Sequence, residues 1–228
     1  MDINKKLERD FTPALIKALA ANLHISIEAY QRICSENKEF FGLQNSKTVL
    51  GYLRTYAVQR QFYIGGFHPD AFYSARLRKT NNFKYETLFL ETENFILNIG
   101  RTEKRGKLLS VANYKRELAR ANVNDDPQIQ LEFSDTDASC LKSVKNYAIL
   151  AYGYNENVGI THFDVLVPSG TYTGIIAPIK SLYIPKKEIV FDFEQDIEPD
   201  IISLKENLEK TFGRGEKFYD YGEKVDSI

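Results

Sequence analysis

The sequence predicts an α+β fold: an N-terminal three-helix segment packed on a largely antiparallel sheet, with an inserted amphipathic helix and a C-terminal helix. Three observations predict it. Apolar residues recur at helical spacing through residues 1–62, the period changes to two from Phe83 onward, and Gly, Asn, Pro and Ser clusters separate short apolar runs between 129 and 193. With 228 residues, 43% of them apolar and 13% aromatic, the chain is long and apolar enough to bury a sizeable core.

Thr12-Pro13 predicts the first helix start, since Thr caps free amides and Pro at the first helical position gives up no hydrogen bond; Leu15, Leu19 and Leu23 then share a face. Ser26 opens a second helix with Ile27, Tyr30, Ile33 and Cys34, and Gly42 ends it. A third begins at Asn45 or Ser46 and carries Val49, Tyr52, Leu53, Tyr56 and Tyr63, tyrosines that read as packing on the body of the protein. Gly65-Gly66 breaks the helical run, and Asp70 caps a short helix over Ala71 to Arg78.

Phe83, Tyr85, Thr87 and Phe89 alternate as one strand, and Phe95, Leu97 and Ile99 as its partner across a turn at Glu93-Asn94. From Ser110 to Asn122 the helical period returns, with Tyr114, Leu118 and Ala121 inward and Lys115, Arg116 and Arg120 outward. Further strands are expected at 129–133, 147–154, 160–167, 171–176 and 189–193, and a last helix opens at Pro199. The chain thus divides into a helical region over 1–65, a mixed α/β body over 66–213 and a polar tail over 214–228.

The opening ten residues alternate charges where a signal peptide needs an apolar run, and no stretch approaches the ~18 apolar residues of a membrane span, so a soluble, cytoplasmic protein without a membrane partner is expected. Cys34 and Cys140 are too isolated to suggest a stabilising disulfide. Abundant Lys, Asn, Ile, Phe and Tyr with no Trp match AT-rich coding, as in low-GC bacteria, their phages and mobile elements.

Charge is unevenly placed. Residues 47–120 hold 14 Lys/Arg against 6 Asp/Glu, and residues 185–228 hold 7 against 12. Within the basic middle, Arg76, Arg78 and Lys79 end one predicted helix, Arg101, Lys104, Arg105 and Lys107 crowd the turn at Gly106, and Lys115, Arg116 and Arg120 line the next helix. Several clustered cations are what phosphate binding needs, because each neutralised phosphate releases condensed counterions. These ten residues form the predicted polyanion site, with nucleic acid or an acidic protein as partner. The acidic residues Glu188, Asp192, Glu194, Asp196, Glu198 and Asp200 are expected to shield it.

The segment Lys47 to Arg60 also has part of the exposed polar face of a DNA-recognition helix, in Lys47, Thr48, Arg54, Arg60 and Gln61. As a second function, a metal-dependent nuclease or phosphoesterase would use Glu86, Glu91, Glu93 or Asp164, although no Asp/Glu-x-Lys strand motif accompanies them. A third is a protein-inhibiting module with no nucleic-acid role. His162 and Asp164 lie two apart on one strand, where the carboxylate would raise the imidazole pKa. No zinc spacing, phosphate loop, nucleophile elbow or dinucleotide fingerprint is present, so neither catalytic residues nor a metal or cofactor is assigned.

Overall fold

A computed structural model describes residues 2–42, 46–67, 71–80, 86–122, 145–177 and 179–186. They belong to one compact unit, Met1–Ile189; the second unit, Val190–Ile228, lies outside them. Helices α1 (Ile3–Asp10), α2 (Pro13–Glu36), α3 (Lys38–Phe41) and α4 (Ser46–Gly65) precede β1 (Ser74–Lys79), β2 (Glu86–Glu91) and β3 (Phe95–Arg101); α5 (Asn113–Arg120) leads to β4 (Asn146–Asn155), β5 (Gly159–Leu166) and β6 (Lys180–Ser181). The sheet order is β1-β2-β3-β4-β5-β6, and every pairing is antiparallel except β3 with β4. The predicted α+β class is therefore what the chain adopts.

Parallel neighbours cannot be joined by a tight turn, so the chain leaves β3, passes through α5 and returns to start β4 at the same end as β3. Residue parity then assigns each face. Leu88, Leu90, Phe95, Leu97, Ala148, Leu150, Tyr152, Phe163 and Val165 lie beneath the N-terminal helices, with Phe11 tilted on Phe95 and Phe62 edge-on to Phe163. Phe89, Ile96, Tyr147, Ile149, Ala151 and Leu166 form the opposite core with Leu118 and Ala119 of α5 and with Tyr172. Both faces are covered, which is why β3 and β4 read as nearly continuous apolar runs.

The helical region differs from expectation at three points. The first two predicted helices are one, α2, because the buried Ser26 hydroxyl donates back to Leu23 O at 2.7 Å and does not cap a new start. Its true start is the predicted one: Thr12 accepts from Leu15 N, with Pro13 at the first helical position. Helix α1 was not foreseen, and Tyr52 and Tyr56, expected inward, stand 72% and 41% exposed because Leu53, Arg54, Ala57 and Val58 take the inward stripe.

Residues predicted as a helix over Ala71 to Arg78 contribute β1, since pairing Arg76 with Phe89 and Arg78 with Thr87 outweighs their helical preference. The expected strand over 171–176 is a turn: Ser169 Oγ accepts from Thr173 N and Gly174 N, leaving only an isolated bridge between Pro168 and Ile175. Tyr172 adopts φ +59° there while its ring fills the α5 core and its hydroxyl donates to Leu109 O. The hairpin, the 110–122 helix and the strands at 147–154 and 160–167 appear as expected within a few residues, whereas β6 was missed. The features expected at Asp70, Phe83, Tyr85, Cys140, 129–133, 189–193 and from Pro199 to the end, with the acidic segment, lie outside the described residues. Cys34 is half-buried and unbridged. No helix among the described residues is long and apolar enough to cross a membrane.

Asp10, buried at the end of α1, holds the turn between β2 and β3. One oxygen accepts from Thr92 Oγ1 (2.5 Å) and Asn94 N (2.7 Å), the other from Asn94 Nδ2 (2.5 Å). Replacing Asp10 with Ala strands these donors, and urea unfolding should show a loss of about 2–3 kcal/mol with the m-value unchanged.

Candidate functional site

The parallel pair brings the C-terminal ends of β3 and β4 to one end of the sheet, together with the start of β5 and the end of β1. A cleft of about 410 Å³ opens there, lined by Lys47, Leu50, Gly51 and Arg54 of α4, Arg101 of β3, and Tyr154 to Asn157 at the β4–β5 turn. At its wall is Arg54, 9% exposed, in the inward stripe of α4. Its guanidinium lies between the rings of Tyr30 and Tyr154, 5.6 and 5.1 Å from their centroids, and engages the Tyr152 side chain.

Two facts set Arg54 apart. Its buried Nε has no hydrogen-bond partner, an omission that costs roughly 1–3 kcal/mol. No carboxylate among the described residues forms an ion pair with it; Glu156 lines the same cleft without making one, and the groups packed on Arg54 stay neutral, because burial pushes the Tyr30 phenol, the Cys34 thiol and the Tyr152 phenol up in pKa, outweighing the lowering effect of Arg54 on each. Arg101 is steadied at the rim by donating to Tyr154 O at 3.2 Å.

The structure sorts the ten predicted cations. Sheet parity sets Arg101 and Lys79 on the N-terminal helix side, and Arg76 and Arg78 on the side of α5. Arg78 donates to Glu91 (2.5 Å) and stacks over Phe89 at 5.6 Å. Arg105 is committed to Asp164, and Lys107 to Glu103. Lys115, expected fully outward, is half-buried; it donates to Ser110 O and burial lowers its pKa. Lys104, Arg116 and Arg120 are exposed, the last two on α5. The ten do not form one uninterrupted patch; of them Arg101 lines the cleft, and Lys79 at the end of β1 stands at the same end of the sheet.

The acidic residues of the nuclease reading do not converge. Glu91 is held by Arg78 and Lys145, Glu93 by Arg9, Glu86 is exposed at the start of β2, and Asp164 is fully buried against Arg105. Among the described residues no three potential metal ligands gather.

His162 and Asp164 share the α5 face, as their spacing predicts, but they do different things. Arg105 binds both oxygens of Asp164 at 3.1 Å, while His162 Nε2 pairs with Thr102 Oγ1 at 2.8 Å and Nδ1 with Thr161 Oγ1 at 3.2 Å. Gly153 makes this possible, because a Cβ there would come within 2.2 Å of the imidazole. Contrary to expectation, the imidazole pKa is lowered: burial leads, Arg105 adds to it, and the opposing pull of Asp164 is outweighed.

Sequence reasoning missed the cleft. Three of its cations were singled out separately, Lys47 and Arg54 as part of an exposed polar helix face and Arg101 at the Gly106 turn, but Arg54 stands in the inward stripe with Leu50, Leu53, Ala57 and Val58, and Tyr154, Asn155 and Asn157 gave no signal. No protein-family model matches the chain, and neither a curated protein nor a solved structure shows significant similarity to it.

A histidine held neutral in the fold and protonated near 6.5 when unfolded stabilises the protein above that pH and loses its contribution as the pH falls toward the lowered folded value. The melting temperature should decline between about pH 7 and 5. A His162→Gln variant should show a flatter profile over the same interval.

Proposed function

We propose that this chain is a non-catalytic binding or regulatory protein that takes nucleic acid at the end of the sheet where β3 and β4 finish. The observation that carries this reading is the meeting of cations from separate segments, Lys47 and Arg54 of α4 with Arg101 of β3, around one cleft. Helix α4 strengthens it: the helix holds Lys47, Arg54 and Arg60 and no carboxylate, and it turns Tyr52 and Tyr56 to solvent, where aromatic rings stack on bases. Lys104, exposed three residues beyond Arg101 in the chain, is a further cation that a longer strand could reach. Thr48, on the exterior of the helix, offers its hydroxyl to a phosphate oxygen.

Fluorescence anisotropy of labelled single- and double-stranded DNA and RNA, titrated at two salt concentrations, tests the proposal. Binding should weaken as salt rises, and each of Arg101→Ala and Lys104→Ala should reduce the log–log salt slope by about 1. Absence of binding at low salt would reject nucleic acid and leave an acidic protein as the partner to seek.

A further inference from the structure

We infer that the Arg54 cleft is a pocket for a terminal phosphate monoester together with its nucleoside, as borne by a free nucleotide or by the end of a nucleic-acid strand. In its strand-end form the inference rests on the nucleic-acid reading.

A guanidinium removed from water calls for a counter-anion, and among the described residues none is paired with Arg54: its buried Nε has no hydrogen-bond partner, and the Glu156 carboxylate of the same cleft makes no ion pair with it. Its planar donors suit two oxygens of a phosphate, and the flanking rings of Tyr30 and Tyr154 hold that plane fixed before any ligand arrives. With Arg54, Lys47 and Arg101 make three cations in the lining against the one carboxylate of Glu156, which leaves enough positive charge to offset a doubly charged monoester.

The remaining lining suits a nucleoside. At about 410 Å³ the cleft exceeds what a phosphate group fills and lies in the range of small-molecule sites. Leu50 offers apolar surface for a base or sugar, and the side-chain amides of Asn155 and Asn157 with the Glu156 carboxylate offer donors and acceptors for hydroxyls and base edges. Glycine at position 51 leaves this wall of the cleft bare: a Cβ built there meets nothing within 4 Å, although glycine inside a helix weakens it.

The full-length protein would be titrated with fluorescent single strands bearing a phosphate or only hydroxyls at either end, and competed with nucleoside monophosphate, nucleoside and inorganic phosphate. The phosphate-bearing strand, the competing monophosphate, or both, should bind at least about tenfold more tightly than the hydroxyl counterpart, as expected of charge-assisted hydrogen bonds. Strand preference assigns a strand end; competition without strand preference assigns the free nucleotide. Gly51→Leu fills the cleft from a position with room for a side chain, and it should abolish the phosphate preference while the melting temperature holds; Arg54→Met should do the same. Equal binding with and without phosphate, together with no competition, would overturn the pocket and leave general nucleic-acid binding intact. Retention of the preference in folded Gly51→Leu would also overturn it. Monophosphate binding without strand binding would keep the pocket and remove the nucleic-acid reading.

Discussion

The parallel pairing of β3 with β4 is the constraint on which the rest of the structure depends. Its register runs from Phe95 opposite Asn146 to Arg101 opposite Tyr152, at the centre of the sheet. The obligatory crossover brings α5 over one face, while α2 and α4 cover the other, so the central strands have no solvated side. The same pairing ends both strands together, and it is there that Arg101 meets Tyr154 and the start of α4.

Polar groups in this interior are otherwise well satisfied. Asn98 donates to Leu88 O and accepts from the Tyr147 hydroxyl; Asn122 donates to Tyr147 O and Pro168 O and accepts from Tyr147 N, tying the end of α5 to β4. Asp10 and Asp164 are likewise bonded through both oxygens. Against that background the bare Nε of Arg54, among the described residues, is an exception with a location, the wall of the cleft, which sets Arg54 apart from the more numerous surface cations.

Legibility in the sequence followed the range of the interactions. Local rules found the start of α2 at Thr12-Pro13, the hairpin at Glu93-Asn94 and the strands now seen as β4 and β5, because caps, turns and alternation act within a few residues. They failed where a distant partner decides. Arg76 and Arg78 suit a helix until Phe89 and Thr87 are there to pair with, and Ser26 reads as a cap until the continuous core contact from Leu23 to Tyr30 holds α2 through it. The cleft was the least legible feature, since it draws on residues 47–54, 101 and 154–157, and no spacing rule connects them. The basic character of the middle of the chain was visible in composition, but which cations are spent on Glu91, Asp164 and Glu103 was not.

Strand β1 closes one margin of the sheet and is paired on its inner side alone among the described strands. An open margin of backbone amides and carbonyls is a template on which another molecule can add a strand, the first step toward fibrils. Three of the cations first noticed as a binding patch, Arg76, Arg78 and Lys79, stand on this strand, beside an exposed Leu77. Charged side chains at such a margin disfavour edge-to-edge pairing of two copies, although Arg78 contributes less to this because it is paired with Glu91. A basic strand at the edge of a sheet therefore needs no ligand to account for it.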